Sequence, residues 1–227
     1  MQAVALYRSS IGKKAIMAVT GVVWVGYVVV HMYGNLKVFQ GAAYFNEYAE
    51  GLRHLGAPIF GYRHLLNVAR VVLVASLGLH VWAAWSLFRQ AMAARPATYA
   101  SRRMVQANYA ALTMRYGGVA IALFVLFHLA HLTWGVPGVH NSFVHGDAYH
   151  NLVTGFQFLP WVIIYLVALV ALGFHLFHGV WSMFQTLGLN NRDWDGVIRA
   201  VAWVLAIGVP VGFASVPVAV QLGIVTL

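Results

Sequence analysis

The sequence predicts an all-α integral membrane protein of five transmembrane helices, built as a single domain over residues 1–227. Three observations predict it. Hydrophobic residues make up 61% of the chain and charged residues 8%, where a soluble domain carries about a quarter charged residues. Mean hydropathy is +0.75. Five apolar runs are each long enough to cross about 30 Å of hydrocarbon. Lipid offers the backbone no hydrogen-bond partners, so such runs are expected as helices.

The first span runs from Lys14 to Asn35 (14–35). It is too long for a removed signal peptide and lacks the small-residue cleavage pattern. The second covers 62–88 and holds Arg70 within it. The third, 116–134, opens beside Arg115 and stops before Gly135 and Pro137. The fourth covers 158–187 and the fifth 197–222.

Lysine and arginine set the expected orientation. With the N-terminus inside, the cytoplasmic face carries Arg8, Lys13, Lys14, Arg89, Arg95, Arg102, Arg103, Arg115, Arg192 and Arg199, ten of the fourteen. The C-terminus is then external, and the expected location is a bacterial plasma membrane. The net charge of +9 fits loops that face anionic lipid and a protein partner rather than nucleic acid. No cysteine is present, so the chain cannot itself hold a cysteine-ligated iron–sulfur cluster or a disulfide. Neither usual glycine-rich nucleotide loop occurs in the sequence.

Four of the spans each carry a histidine: His31, His80, His128 and His175. An ionisable residue inside a membrane segment is costly and points to function. At about 1.5 Å per residue, His31 lies about 6–9 Å and His128 about 10–13 Å below the outer ends of their spans. His80 lies about 25 Å and His175 about 22 Å below theirs. Two layers roughly 10–15 Å apart result, which suits two stacked haems, each iron held by two imidazoles. Four of the five spans then form a di-haem bundle. His131 and His178 follow His128 and His175 by three residues, share their helix faces, and compete with them as ligands. The competing reading is that these histidines are interhelical hydrogen-bonding groups or proton relays. His140, His145 and His150 recur every five residues in an outer loop. They lack a credible ligand spacing and read as solvated.

Gly21 precedes His31 by ten residues, and Gly118 precedes His128 by ten. Both fall at the inner layer, where a missing side chain would let a porphyrin approach the backbone; ordinary helix packing is the alternative. Arg70 and Arg115 need counter-charges, and no acidic residue lies inside a span. Haem propionates are candidate partners; snorkelling and interfacial anchoring are the plain readings.

The fourth span carries Phe174 and His175, then Gly179, Trp181, Ser182, Thr186 and Gly188; the third carries Arg115, Gly118 and His128. Here the chain resembles the di-haem cytochrome b membrane anchor of succinate dehydrogenase and fumarate reductase, the succinate:quinone oxidoreductases. The F-H-x3-G-x-W-S run selects His175 over His178, and the R-x-x-G-to-histidine spacing selects His128 over His131. Phe45 and Asn46 add to the likeness, while His31 and His80 match by position and order. One departure is visible. Some members carry a histidine or glutamine with a serine near the inner end of span one, as propionate partners. Here that stretch reads Ala15, Ile16, Met17 and Ala18, which leaves Ser9, Ser10, Lys13 and Lys14 as substitutes.

The resemblance implies two haem b groups, His31 and His128 on the outer one and His80 and His175 on the inner. It implies flavoprotein and iron–sulfur partner subunits, with succinate oxidised outside this chain, which is the electron-transfer and quinone-reactive subunit. The expected quinone is menaquinone, beside Glu47, Glu50 and Tyr48 in the outer loop. A carboxylate there, partly desolvated, would have a raised pKa suited to proton exchange. The alternatives are the cytochrome b of a hydrogenase or formate dehydrogenase, or a non-haem transporter using intramembrane histidine and arginine.

Overall fold

The computed structural model describes residues 9–94 and 106–227. Arg8, Arg95, Arg102 and Arg103 of the basic face lie outside the described residues, as does the rest of 95–105. Among the described residues all the regular elements are helices, two of them short 3-10 turns, Lys37–Gln40 and Leu52–His54. In chain order the α-helices are α1 (Ser10–Leu36), α2 (Ala42–Gly51), α3 (His64–Ala93), α4 (Gln106–Leu129), α5 (Ala148–Phe156), α6 (Leu159–Thr186) and α7 (Asp195–Gln221). A π-helical turn, Ala130–Trp134, extends α4. Among the described residues, five helices are long and apolar enough to cross a membrane, so the chain is an all-α, multi-pass membrane protein. The observed spans overlie the five expected from sequence.

Local chemistry explains the helix ends. The Ser9 side chain accepts from the Gly12 amide at 3.0 Å and caps α1. Asp147 caps α5 by accepting from the His150 amide at 2.9 Å. Pro160 stands in the first turn of α6, where its missing amide proton costs nothing. Two prolines, Pro210 and Pro217, lie inside α7. Pro210 deprives the Ala206 carbonyl of its usual donor, and α6 meets that carbonyl with Gly173. A Cβ on Gly173 would stand 2.8 Å from the Ala206 oxygen.

α1 packs on α3, and α4 packs on α6; α6 also packs on α7, and both touch α1. Outward positions such as Val71, Val74, Val167, Val170, Val204 and Val211 are exposed, as a lipid-facing belt requires. The larger of the buried clusters among the described residues lies at one end. There α2, α5 and the chain's C-terminal end cover the bundle around Phe45, Leu152, Val153, Phe156 and Val216. Asn46 ties this cap together: its amide donates to Asp147 at 2.9 Å, and its oxygen accepts from the Tyr149 amide at 2.9 Å. The Tyr149 hydroxyl donates to the Thr226 carbonyl at 2.8 Å. This cap face is the one expected outside.

Candidate functional site: two facing histidine pairs

The bundle brings the four intramembrane histidines together in two pairs. His31 of α1 faces His128 of α4, ring centres 5.9 Å apart and planes at 81°. His80 of α3 faces His175 of α6, ring centres 6.2 Å apart and planes at 58°. Neither pair of helices belongs to the closely packed set, so the imidazoles reach across the wider gaps of the bundle. Two metal–imidazole bonds of about 2 Å and two ring radii of about 1 Å add to about 6 Å. Both separations are close to that sum, and both also lie in the ordinary range of ring contact.

The pairs lie in separate layers. Gly21 is level with His80, since a Cβ there would stand 3.8 Å from the His80 Cε1. Gly118 is level with His175, where a Cβ would stand 3.7 Å from Cε1. On both α1 and α4 the glycine precedes the cap-side histidine by ten residues, or about 15 Å of helix. Each glycine therefore leaves open the space beside an inner-layer imidazole.

A hydrogen bond orients one ring of each pair. Thr20 directs its hydroxyl to the Ile16 carbonyl at 2.7 Å and the Met17 carbonyl at 3.1 Å. Its one proton is thereby used. The 3.0 Å contact between Thr20 Oγ1 and His80 Nδ1 must then be donated by the ring. His80 is held with its proton on Nδ1, which leaves the Nε2 lone pair for a metal. In the cap-side layer, His128 Nδ1 lies 3.1 Å from the Tyr165 hydroxyl. Tyr27 stacks on His31 at 5.3 Å, and Phe213 of α7 approaches it at 5.6 Å. Among the described residues, no hydrogen bond engages Nε2 of any of the four. His175 Nδ1 is buried without a partner as well, and an unmade bond of this kind costs about 1–3 kcal/mol. The donor set and the two glycine cradles fit a bis-imidazole metal cofactor of porphyrin shape.

The competing histidines point elsewhere. His131 is fully buried among Phe127, Phe156 and Trp161 in the cap. His178 Nδ1 bonds its own helix at the Phe174 carbonyl, 3.0 Å away. The outer-loop histidines form no metal cluster; no group of three or more such ligands converges among the described residues. His140, expected in solvent, is buried instead. Its Nδ1 donates to the His131 carbonyl at 2.9 Å, and its Nε2 meets Thr154 Oγ1 at 3.0 Å.

The charged candidates divide between the two ends. Arg70, ten residues before His80 on α3, sits level with the cap-side pair and donates to Asn67 at 3.1 Å. Arg115 lies over the Phe88 ring at 4.8 Å. Lys13 is buried in the first turns of α1, and Ser9 caps that helix. A cavity of about 330 Å³ lies between the start of α1 and the end of α6, lined by Lys14, Met17, Ser182 and Gln185.

On α2, Glu47 is exposed. Glu50 pairs with Arg53 and lies 3.4 Å from His54. The hydrogen bond from Arg53 holds its carboxyl below the usual carboxylate range, opposite to the raised value expected of a proton-exchanging acid. Tyr48 packs on Gly34, and its ring, with those of Tyr33 and Tyr44, lies within 5.0 Å of Lys37 Nζ. Sequence reading singled out Tyr48 but passed over Thr20, Tyr165 and the gathering of Tyr33, Tyr44 and Tyr48 around Lys37. A polar residue beside Gly21 and a tyrosine ten residues before His175 were the available signals. No family model matches the chain, and it has no significant match among curated proteins or solved structures.

Proposed function

We propose that this chain is the di-haem membrane anchor of a succinate:quinone oxidoreductase, carrying electrons between a partner iron–sulfur subunit and membrane quinone. The observation that carries the reading is the pair of facing imidazoles at 5.9 and 6.2 Å in two layers. His31 and His128 would hold the cap-side haem b, and His80 and His175 the other. When bound, an iron with two imidazole ligands has no open position and supplies one-electron transfer without oxygen binding.

The chain's own residues orient and enclose these groups. Thr20 fixes the His80 tautomer. Gly21 and Gly118 leave room beside the imidazoles of the inner layer. Ser9, Lys13 and Arg115 stand at the inner end, and Arg70 stands level with the cap-side pair, as propionate partners. Glu47, Glu50 and Tyr48 border the cap-side quinone region. With Glu50 committed to Arg53, the exposed Glu47 is the freer carboxylate for proton exchange.

In this reading the flavoprotein and iron–sulfur subunits dock on the face opposite the cap, on the cytoplasmic side of a bacterial plasma membrane. The flavin and clusters belong to those partners, since the chain has no cysteine. Purification from native membranes tests the proposal. Expected are co-purifying flavoprotein and iron–sulfur subunits, a reduced-minus-oxidised b-type spectrum, and quinone reduction by succinate. A purified chain with no haem spectrum overturns it.

A further inference from the structure

His128 and His131 are one helical turn apart, and both turn Nδ1 toward the same oxygen. His128 Nδ1 lies 3.1 Å and His131 Nδ1 3.0 Å from the Tyr165 hydroxyl. Tyr165 and His131 are both buried. A phenol has one proton to give, and among the described residues these two rings are the only hydrogen-bond partners of the buried Tyr165 hydroxyl, so it donates to one ring and accepts from the other. The two histidines therefore have opposite roles. A ring that ligates a metal through Nε2 carries its proton on Nδ1. Resting on the di-haem reading, that makes His128 the donor, Tyr165 Oη its acceptor, and His131 Nδ1 the acceptor of the phenol proton.

His131 is itself anchored. It sits in the π-helical turn that extends α4, a feature often found at functional sites. His140 donates to its backbone carbonyl at 2.9 Å. The phenol ring is fixed by edge-to-face contacts with Phe124 at 4.9 Å and Phe156 at 4.8 Å. Nothing in this arrangement leaves Tyr165 free to turn away.

We infer that Tyr165, backed by His131, is a positioning residue for the cap-side haem: it orients the His128 imidazole and strengthens it as an electron donor to the iron. The second hydrogen bond polarises the first, because a phenol that donates is the better acceptor. An acceptor on Nδ1–H raises the basicity of the ligating nitrogen and so lowers the potential of that haem relative to one without it.

The test is redox potentiometry of the holo-complex with Tyr165→Phe, which keeps the ring and its packing and deletes only the hydroxyl. Expected are two retained low-spin b haems, an upward shift in the midpoint potential of the cap-side one, and no shift in the other. The electron paramagnetic resonance signal of the cap-side haem alone should also move. His131→Leu removes the acceptor of the phenol proton and should shift the same haem in the same direction by less. Two haems with unchanged potentials and signals in both variants refute the role of Tyr165 while leaving the di-haem reading intact. Absence of both low-spin signals from the wild-type complex refutes that reading itself.

Discussion

Thr20 Oγ1 accepts a hydrogen bond from His80 Nδ1 at 3.0 Å, and it can only accept, because its own proton is held by the Ile16 carbonyl. One buried threonine on α1 thus fixes the tautomer of an imidazole on α3. Tyr165 meets His128 in the other layer, so each layer has one histidine oriented by a hydroxyl from a helix packed beside it. Loss of such an outer partner costs roughly 10–100-fold in metal affinity. Thr20→Val keeps the shape of the side chain and removes the acceptor. Titrating haem into the apo-protein should show weakened binding of the inner haem by about that factor, with the cap-side haem unchanged.

The two glycine cradles make a graded expectation. At Gly118 a Cβ would meet His175 Cε1 at 3.7 Å, ordinary contact, so Gly118→Ala should retain both haems. Gly118→Leu places a branched side chain beside the same ring and should remove the inner haem while the chain still inserts. Haem content per chain, measured on both variants, checks this. Equal content in the two would mean that the glycine serves helix packing only.

Close approach of α6 to α7 depends on Gly173. Its added Cβ would stand 2.8 Å from the Ala206 carbonyl oxygen, a backbone atom that cannot move aside. Gly173→Val should destabilise the bundle by roughly 1–3 kcal/mol, the usual range for overpacking. The readout is a lower thermal unfolding midpoint in detergent, with the haem spectrum of the surviving fraction unaltered.

The cap should weaken in acid. The His150 amide, followed by the Asn46 side chain, holds the Asp147 carboxyl below its ordinary range. A depressed folded-state value means the stabilisation is complete above the unfolded carboxylate value of about 3.9. It is lost as pH falls through the lower folded value. Asp147→Ala should cost about 1 kcal/mol at neutral pH, as an N-cap loss does. The cost should shrink as pH falls below the folded value, because the neutral carboxyl is a weaker acceptor. Thermal unfolding of wild type and variant at neutral and strongly acidic pH compares the two.

The membrane helices were legible because lipid imposes a length and a composition. All five spans from 14–35 to 197–222 are matched by helices. The two histidine layers were legible because helix rise converts sequence distance into depth, which pairs the first span with the third and the second with the fourth; the choice of His128 over His131 and of His175 over His178 came from the family resemblance. The cap was not legible. α2 and α5 are short and mixed in composition, and they owe their burial to each other through Asn46 and Asp147. His140 looked solvated for the same reason: its burial depends on Thr154 and on the carbonyl of His131. Thr20 and Tyr165 were missed because their roles arise between helices, where no spacing along one helix reports them. The expected rise in the Glu50 pKa failed through a neighbour three residues away, Arg53, whose approach depends on the turn after α2.

Haem b content and low-temperature spectra of the wild type and the four single variants His31→Ala, His80→Ala, His128→Ala and His175→Ala test the central claim most directly. Two distinct low-spin haems per wild-type chain are expected. His31→Ala and His128→Ala should abolish or convert to high spin one and the same signal, and His80→Ala and His175→Ala the other. A chain without haem, signals that pair in any other combination, or loss in His178→Ala with His175→Ala unaffected would contradict it.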